Sequence, residues 1–408
     1  MKHHLYTALL LCAIFFASTA SSYACSTIII SGKATRDGRP LMWKNSDTDN
    51  PRHSLLYADH RGYPFLGIIR NSSKNEATAG VWAGTNAEGF SIMNTMSYNL
   101  TDSAVTSRNG SLMRQALERC RTVDDFQHML DTLPRPLKVE TNYGVIDAQG
   151  NAAYFETFNN GYRKLDVNDP AVAPSGYLIY TNFSYTGFYD RGQGYIRYQT
   201  AMYETAKVAP NRGFTPQWIL NKLARSYYHS LLGVDFASPE AMQLFAGGYI
   251  PDQDLIPRHS TASATVIQGV RPGENPELTT LWAALGYPPC AIAIPAWVKL
   301  ARNNSPLVMR NADTRSSRLS DQAEAYKQTL YDVKRGHGDA YLHFSQVYNA
   351  EGTGYRQLLQ PIEEHLFNLT NHRLNKWRTD GKLSVKEAQL LISETEHYVE
   401  EHLPPVRF

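Results

Sequence analysis

Apolar residues come in short runs broken by Gly, Asn and Asp from Cys25 to about Met96, the pattern of strands joined by turns. Residues 26–31 are rich in β-branched side chains, Asp37-Gly38 marks a tight turn and residues 40–44 resume an extended run, so a hairpin is predicted. Residues 53–57, 65–70, 80–84 and 89–96 read as further strands. The spacing becomes helical at Leu112, Met113, Ala116, Leu117 and Cys120, with Asn109 or Ser111 as the cap, and again at 123–130. Residues 142–147 and 152–158 flank a Gln149-Gly150 turn as a second hairpin, and 177–180 form a short strand that runs into Thr181-Asn182. Helices are expected at 195–208 and 215–228, the latter opened by Thr215-Pro216. Strands return at 262–270, closed by Arg271-Pro272-Gly273, and at 291–294.

After about Arg302 the chain turns charged and helical, at 320–334, 355–376 and 384–401. Residues 303–408 are therefore expected to be a C-terminal helical extension packed on a domain of residues 25–302. Residues 1–24 have the three parts of a secretory signal: Lys2 with His3 and His4, an apolar run over 5–16, then small residues ending Ser22-Tyr23-Ala24. An exported protein, periplasmic or secreted, is predicted. The apolar run is too short to span a bilayer, and the richest later stretch, 283–298, is interrupted by Pro288, Pro289 and Pro295, so no transmembrane segment is expected once the signal is gone.

Composition narrows the function. The formal charge of the 408 residues is only +2 and no long run carries one sign, which argues against nucleic acid as a partner. Removing the signal discards Cys12 and leaves Cys25, Cys120 and Cys290, an odd number in an oxidising compartment. Cys120 and Cys290 could pair, or both could be buried free thiols. The motifs His-Glu-x-x-His, Cys-x-x-Cys, Gly-Lys-Ser/Thr and Gly-x-Ser-x-Gly are missing. Cys290, within Tyr287-Pro288-Pro289-Cys290-Ala291-Ile292, reads as core, and neither cofactor nor metal is called for.

A cut after Ala24 would give Cys25 both a thiol and a free α-amino group. Their ordinary pKa values, about 8.5 and about 7.7 to 8.0, let the amine take the thiol proton near neutral pH, so one residue can be nucleophile and base. The thiolate would attack an amide carbonyl to give a thioester, with an oxyanion hole and a pocket still to be supplied.

In four places the sequence resembles the N-terminal-nucleophile hydrolases of the choloylglycine hydrolase and penicillin V acylase type, with the related acyl-CoA:6-aminopenicillanic acid acyltransferases. These are Cys25-Ser26-Thr27, Trp43-Lys44-Asn45-Ser46-Asp47, Asn86-Ala87-Glu88-Gly89-Phe90-Ser91-Ile92-Met93-Asn94 and Tyr180-Thr181-Asn182. The resemblance covers about 160 residues in order, with a weaker likeness at 262–270. It implies an α+β fold, the four-layer αββα sandwich, and cleavage of a linear, non-peptide amide in a small-molecule N-acyl substrate. By the same resemblance Cys25 matches the nucleophile, Asp47 the carboxylate that holds the amine, and Asn94 and Asn182 the oxyanion donors. Lys44 stands where many relatives have arginine and lacks the planar fork. It and Arg258 are candidate substrate-binding groups, with Arg191 a further candidate for a second arginine. Relatives are often tetrameric, so a homo-oligomer is among the expectations.

Two other readings stay open: an acyltransferase in which an amine resolves the thioester, and a non-catalytic lipoprotein lipidated at Cys25. Bulky Tyr23 two residues before Cys25 argues against lipidation. Asn182-Phe183-Ser184 is also a formal glycosylation acceptor, and a glycan there would block the role given to Asn182.

Overall fold

A computed structural model describes residues 24–101, 105, 108–244 and 248–407. The signal reading thus falls, except for Ala24, outside the described residues.

Two antiparallel sheets are stacked face to face. Strands β1 (Cys25–Ile30) and β2 (Leu41–Asp47) belong to a six-stranded sheet. The seven-stranded sheet is a simple meander of β3 (His53–Ala58), β4 (Phe65–Arg70), β5 (Ala83–Asn86), β6 (Ser91–Met96), β7 (Thr141–Ile146), β8 (Ala152–Phe158) and β9 (Gly161–Asp166). Then come β10 (Tyr177–Tyr180), the two-residue pair β11 (Tyr228–His229) and β12 (Val234–Asp235), β13 (Tyr249–Pro251), β14 (Thr261–Gln268), β15 (Thr280–Leu285), β16 (Ala293–Ala296) and β17 (Tyr341–His343). The six-stranded sheet runs β10-β1-β2-β14-β15-β16, and β13 pairs with β17 apart from it.

Strands β1, β2 and β14 are buried along their whole length, because the sheet is covered on both faces. On the inner side, β1 meets β6 and β8, and β2 meets β7. At Gly144 of β7 a Cβ would stand 2.9 Å from Ile29 Cδ1 of the facing sheet, so a side chain there would have to displace its neighbours. Outside the seven-stranded sheet, α1 (Asn109–Arg119) and α2 (Val123–Thr132) bury Leu112, Met113, Phe126 and Leu130 against Phe90, Tyr143 and Phe155. Helix α2 starts where it does because Thr122 and Asp125 form a reciprocal capping box.

The other outer layer is assembled from distant parts of the chain. Helices α3 (Tyr195–Val208), α4 (Arg318–Leu330) and α5 (Tyr355–Asp380), with helical residues 216–223, cover the six-stranded sheet, and α6 (Val385–His402) packs on α5. The four-layer αββα sandwich is therefore present. Residues beyond 302 share its main core through Leu319, Tyr326, Leu359 and Phe367. Glu363 of α5, fully buried, accepts from Arg225 at 2.7 and 2.8 Å, from Arg356 at 2.9 Å and from the Ala293 backbone of β16 at 2.7 Å.

Several elements differ from the sequence reading. The second strand extends to Asp47, because Thr261 and Ser263 of β14 pair across from Asp47 and Ser46. The helix expected over 215–228 ends at Leu223 in a π turn. Strand β15 lies in an unbroken apolar run whose burial on both faces erases any alternation. Cys25, Cys120 and Cys290 are all free and buried, and Cys120 and Cys290 sit in different hydrophobic clusters, which settles their pairing.

Burial opposes ionisation of Glu363, but Arg225 and Arg356 outweigh it and hold the carboxyl down at about 2. Its contribution to stability is complete above the unfolded value near 4.5 and is lost as pH falls toward 2. Glu363→Gln, which leaves two guanidinium groups buried without their anion, is expected to cost about 3–5 kcal/mol in urea unfolding at pH 7, with a smaller cost at pH 3.

Candidate active site

Strand β1 lies between β10 and β2, with Thr27 opposite Tyr180 and Cys25 opposite Ser46. The end of β1 that carries Cys25 is therefore beside the ends of β2 and β10, where Asp47 and Asn182 stand. Strand β6 of the facing sheet brings Asn94 to the same place, and Cys25, Lys44, Asp47 and Asn94 line one small cavity of about 20 Å³, room for roughly one water. Trp82 and Arg70 close it, with the Arg70 guanidinium 4.0 Å from the Trp82 ring centroid.

The Cys25 backbone nitrogen donates to Asn182 Oδ1 at 3.1 Å. Asn182 is held in turn: its Nδ2 donates to Met96 O at 3.0 Å, and its backbone exchanges hydrogen bonds with Gln193. With no exposed surface, Asn182 is closed to a glycan in the folded chain. Asp47 has different partners. Its Oδ2 accepts from Arg258 Nε and Nη2 at 3.0 and 2.7 Å, and its Oδ1 from Thr261 Oγ1 at 2.7 Å. Burial opposes the Arg258 charge, but the attraction of Asp47 outweighs it and holds the guanidinium above its ordinary range. Asn94 accepts from Lys44 Nζ at 2.8 Å and donates to Thr141 Oγ1 at 3.1 Å. Arg191 lies on an exposed loop over the Phe188 ring.

Arg197 was not visible in the sequence as part of the site. On amphipathic helix α3 an arginine reads as a solvated residue, yet this one is 1% exposed. Its Nη1 donates to Cys25 O and Ser26 Oγ, both at 2.8 Å, and its Nη2 to Asn182 Oδ1 at 2.8 Å. Burial pulls its guanidinium down to about 9, still charged at neutral pH. One side chain thus ties the carbonyl of Cys25 to the asparagine that meets its nitrogen. The only forward signal was its place 15 residues after Asn182, at the helix that follows the site strand.

A larger cavity, about 670 Å³, opens beside buried Ala24, the residue that precedes Cys25. Arg197, Arg258, Asp252, Asp254, His337 and Asp339 are among the residues that line it. The segments around Asp252 and Asp339 are joined because β13 pairs with β17 and Asp252 N donates to Ala340 O at 2.9 Å. Segments beyond residue 302 therefore shape the space next to Cys25. Asp252 accepts from Tyr331 Oη at 2.5 Å and from the His259 backbone at 2.8 and 3.0 Å, while burial raises its carboxyl to about 7.

A cysteine at the head of an inner strand of an αββα sandwich is thus set among Asp47, Asn94 and Asn182. Residues 34–201, under half of the chain, match the family model described as acyl-coenzyme A:6-aminopenicillanic acid acyl-transferase, and the resemblance read from the sequence holds. Among solved structures, the chain is similar to an N-acylethanolamine-hydrolyzing acid amidase ortholog of Caenorhabditis elegans, at 16% identity and TM-score 0.35 over 59% of this chain and 92% of that one. A variant of the conjugated bile acid hydrolase of Clostridium perfringens matches at 12% identity and TM-score 0.36, over 64% of this chain and 89% of that one. Penicillin V acylase of Agrobacterium tumefaciens matches at 11% identity and TM-score 0.35, over 67% and 85%. At these scores the structural likenesses carry no functional weight. No curated protein matches the chain.

Asp252 binds its proton more tightly in the folded chain than in the unfolded one, whose carboxyl titrates near 3.8. Its stabilising contribution is complete below about pH 4 and is lost as pH rises through 7. Urea unfolding across this window should show Asp252→Asn gaining on the wild type as pH rises, by at most about 1.4 kcal/mol per pH unit; parallel curves would contradict the assignment.

Proposed function

We propose that the protein is an exported amidohydrolase that cleaves a linear, non-peptide C–N amide through a thioester on Cys25, once the leader ends at Ala24. The observation that carries this reading is the hydrogen bond from Cys25 N to Asn182 Oδ1, with Asn182 itself held by Arg197 and the nearby Asp47 by Arg258. After processing, that nitrogen becomes an amine held by Asn182, close to its own thiol. It takes the thiol proton; the sulfur then attacks the amide carbonyl carbon, and the carbonyl pair moves onto oxygen. Collapse breaks the C–N bond and leaves the acyl group on Cys25, and water resolves the thioester.

The observed partners support a division of roles different from the one the resemblance implies. Asn182 is the group that meets the α-nitrogen, and Asp47, saturated by Arg258 and Thr261, fixes the arginine at the border of the larger cavity. Arg258 faces that cavity and remains the substrate-binding candidate. Among the described residues no helix is long and apolar enough to cross a membrane. A homo-oligomer is retained as part of the proposal.

Acyl transfer is the second reading, because the family model matched over residues 34–201 is that of an acyl-transferase. The mature protein, assayed on a panel of N-acyl anilides, should release the amine, and Cys25→Ala with the same amino-terminal cut should lose all turnover while keeping its unfolding temperature. Turnover by that variant would sink the mechanism. Adding a competing amine separates the two fates: free acid as the product supports hydrolysis, and a new amide supports transfer.

A further inference from the structure

Lys44 shares a small cavity with Cys25, whose nitrogen is bonded to Asn182. Cys25 faces Ser46 across the β1–β2 ladder, so Lys44, two residues from Ser46, projects from the same face of the sheet. It is 2% exposed. Its Nζ donates to Trp82 O at 3.0 Å and Asn94 Oδ1 at 2.8 Å, and Cys25 is a third partner across the small cavity that both residues line. The two oxygens are neutral. Asp47, the carboxylate nearby, is engaged by Arg258 and Thr261, and Arg70 adds a like charge.

A buried ammonium bonded only to neutral oxygens is costly, and that cost falls when the third partner becomes an anion. Burial pulls the Lys44 ammonium below the usual lysine range. The other buried thiols show what burial does to a cysteine here: Cys120 is pushed up to about 12, and Cys290 is driven upward as well. An arginine at this place would supply charge alone, since its proton does not come off, whereas a lysine can also give its proton up.

We propose that Lys44 is a catalytic residue, whose ammonium pairs with the Cys25 thiolate and delivers a proton to the leaving nitrogen. The proposal rests on Cys25 being the nucleophile. The thiol proton goes to the α-amine, and the S–C bond forms as the carbonyl pair moves to oxygen. As the C–N bond breaks, its electron pair stays on nitrogen and takes the proton from Lys44. When water attacks the thioester, the neutral Lys44 takes one of its protons, the C–S bond breaks, and the α-ammonium returns a proton to sulfur. Amide and water have become acid and amine, and every group is restored.

The first arm of the test uses the chain that still carries Ala24, where Cys25 has no α-amine and Lys44 is a cation lining the same small cavity. Iodoacetamide labelling at neutral pH, read by peptide mass mapping with Cys120 and Cys290 as internal references, should favour Cys25. Lys44→Met should slow Cys25 labelling roughly tenfold or more, while Lys44→Arg keeps it. In the mature protein Lys44→Arg should keep labelling but lose roughly a hundredfold in turnover of an N-acyl anilide. Labelling of Lys44→Met at the wild-type rate would overturn the pairing, and wild-type turnover by Lys44→Arg would overturn the proton delivery. Should Lys44→Met fail to fold, the ultraviolet thiolate absorbance of the wild type minus that of Cys25→Ser decides: a signal at neutral pH supports the pair, and none overturns it. Turnover by a Cys25→Ala control would remove the nucleophile reading itself, a result separable from the labelling comparison.

Discussion

Everything at this site depends on holding the two ends of one residue apart. The nitrogen of Cys25 is bonded to Asn182, its carbonyl is clamped by Arg197, and the residue lines a small cavity together with Lys44. The clamp works because Arg197 is buried and bonds Cys25 and Asn182 at once, so strand β1, helix α3 and the loop after β10 cannot move independently. A cysteine fixed this way has its nitrogen and its sulfur facing different partners before any substrate arrives, which is preorganisation of the kind that lowers a barrier without reorganisation at the moment of reaction.

The surrounding fold serves that arrangement. Three inner strands end together so that Cys25, Asp47 and Asn182 converge, and the meander opposite contributes Asn94 and the Trp82 carbonyl. The buried Arg225–Glu363–Arg356 group joins α5 to strand β16, which is how the region beyond residue 302 is locked to the sandwich. Through β17 the same region also walls the larger cavity next to Ala24.

Much of this was legible in the sequence. Local signals located the hairpins and helices, and the order Cys25, Asp47, Asn94, Asn182 pointed to one site, because each lies at or near the end of a recognisable strand. What stayed hidden was long-range. Strand β15 has no alternation, since both of its faces are covered. Arg197 and Thr261 carry no local mark, and their partners are 172 and 214 residues away. The partners of Asp47 and Lys44 were equally out of reach, because pairing across sheets decides which charge each one meets. Lys44, read from the sequence as a substrate-binding candidate, shares a small cavity with Cys25.

The account stands on Cys25 being the first residue of the working protein, with its amine free to accept a proton. The most direct measurement is amino-terminal sequencing of the exported protein together with its intact mass. The account predicts that the chain begins at Cys25 and carries no added mass. A chain that begins elsewhere, or a lipid on Cys25, would contradict it.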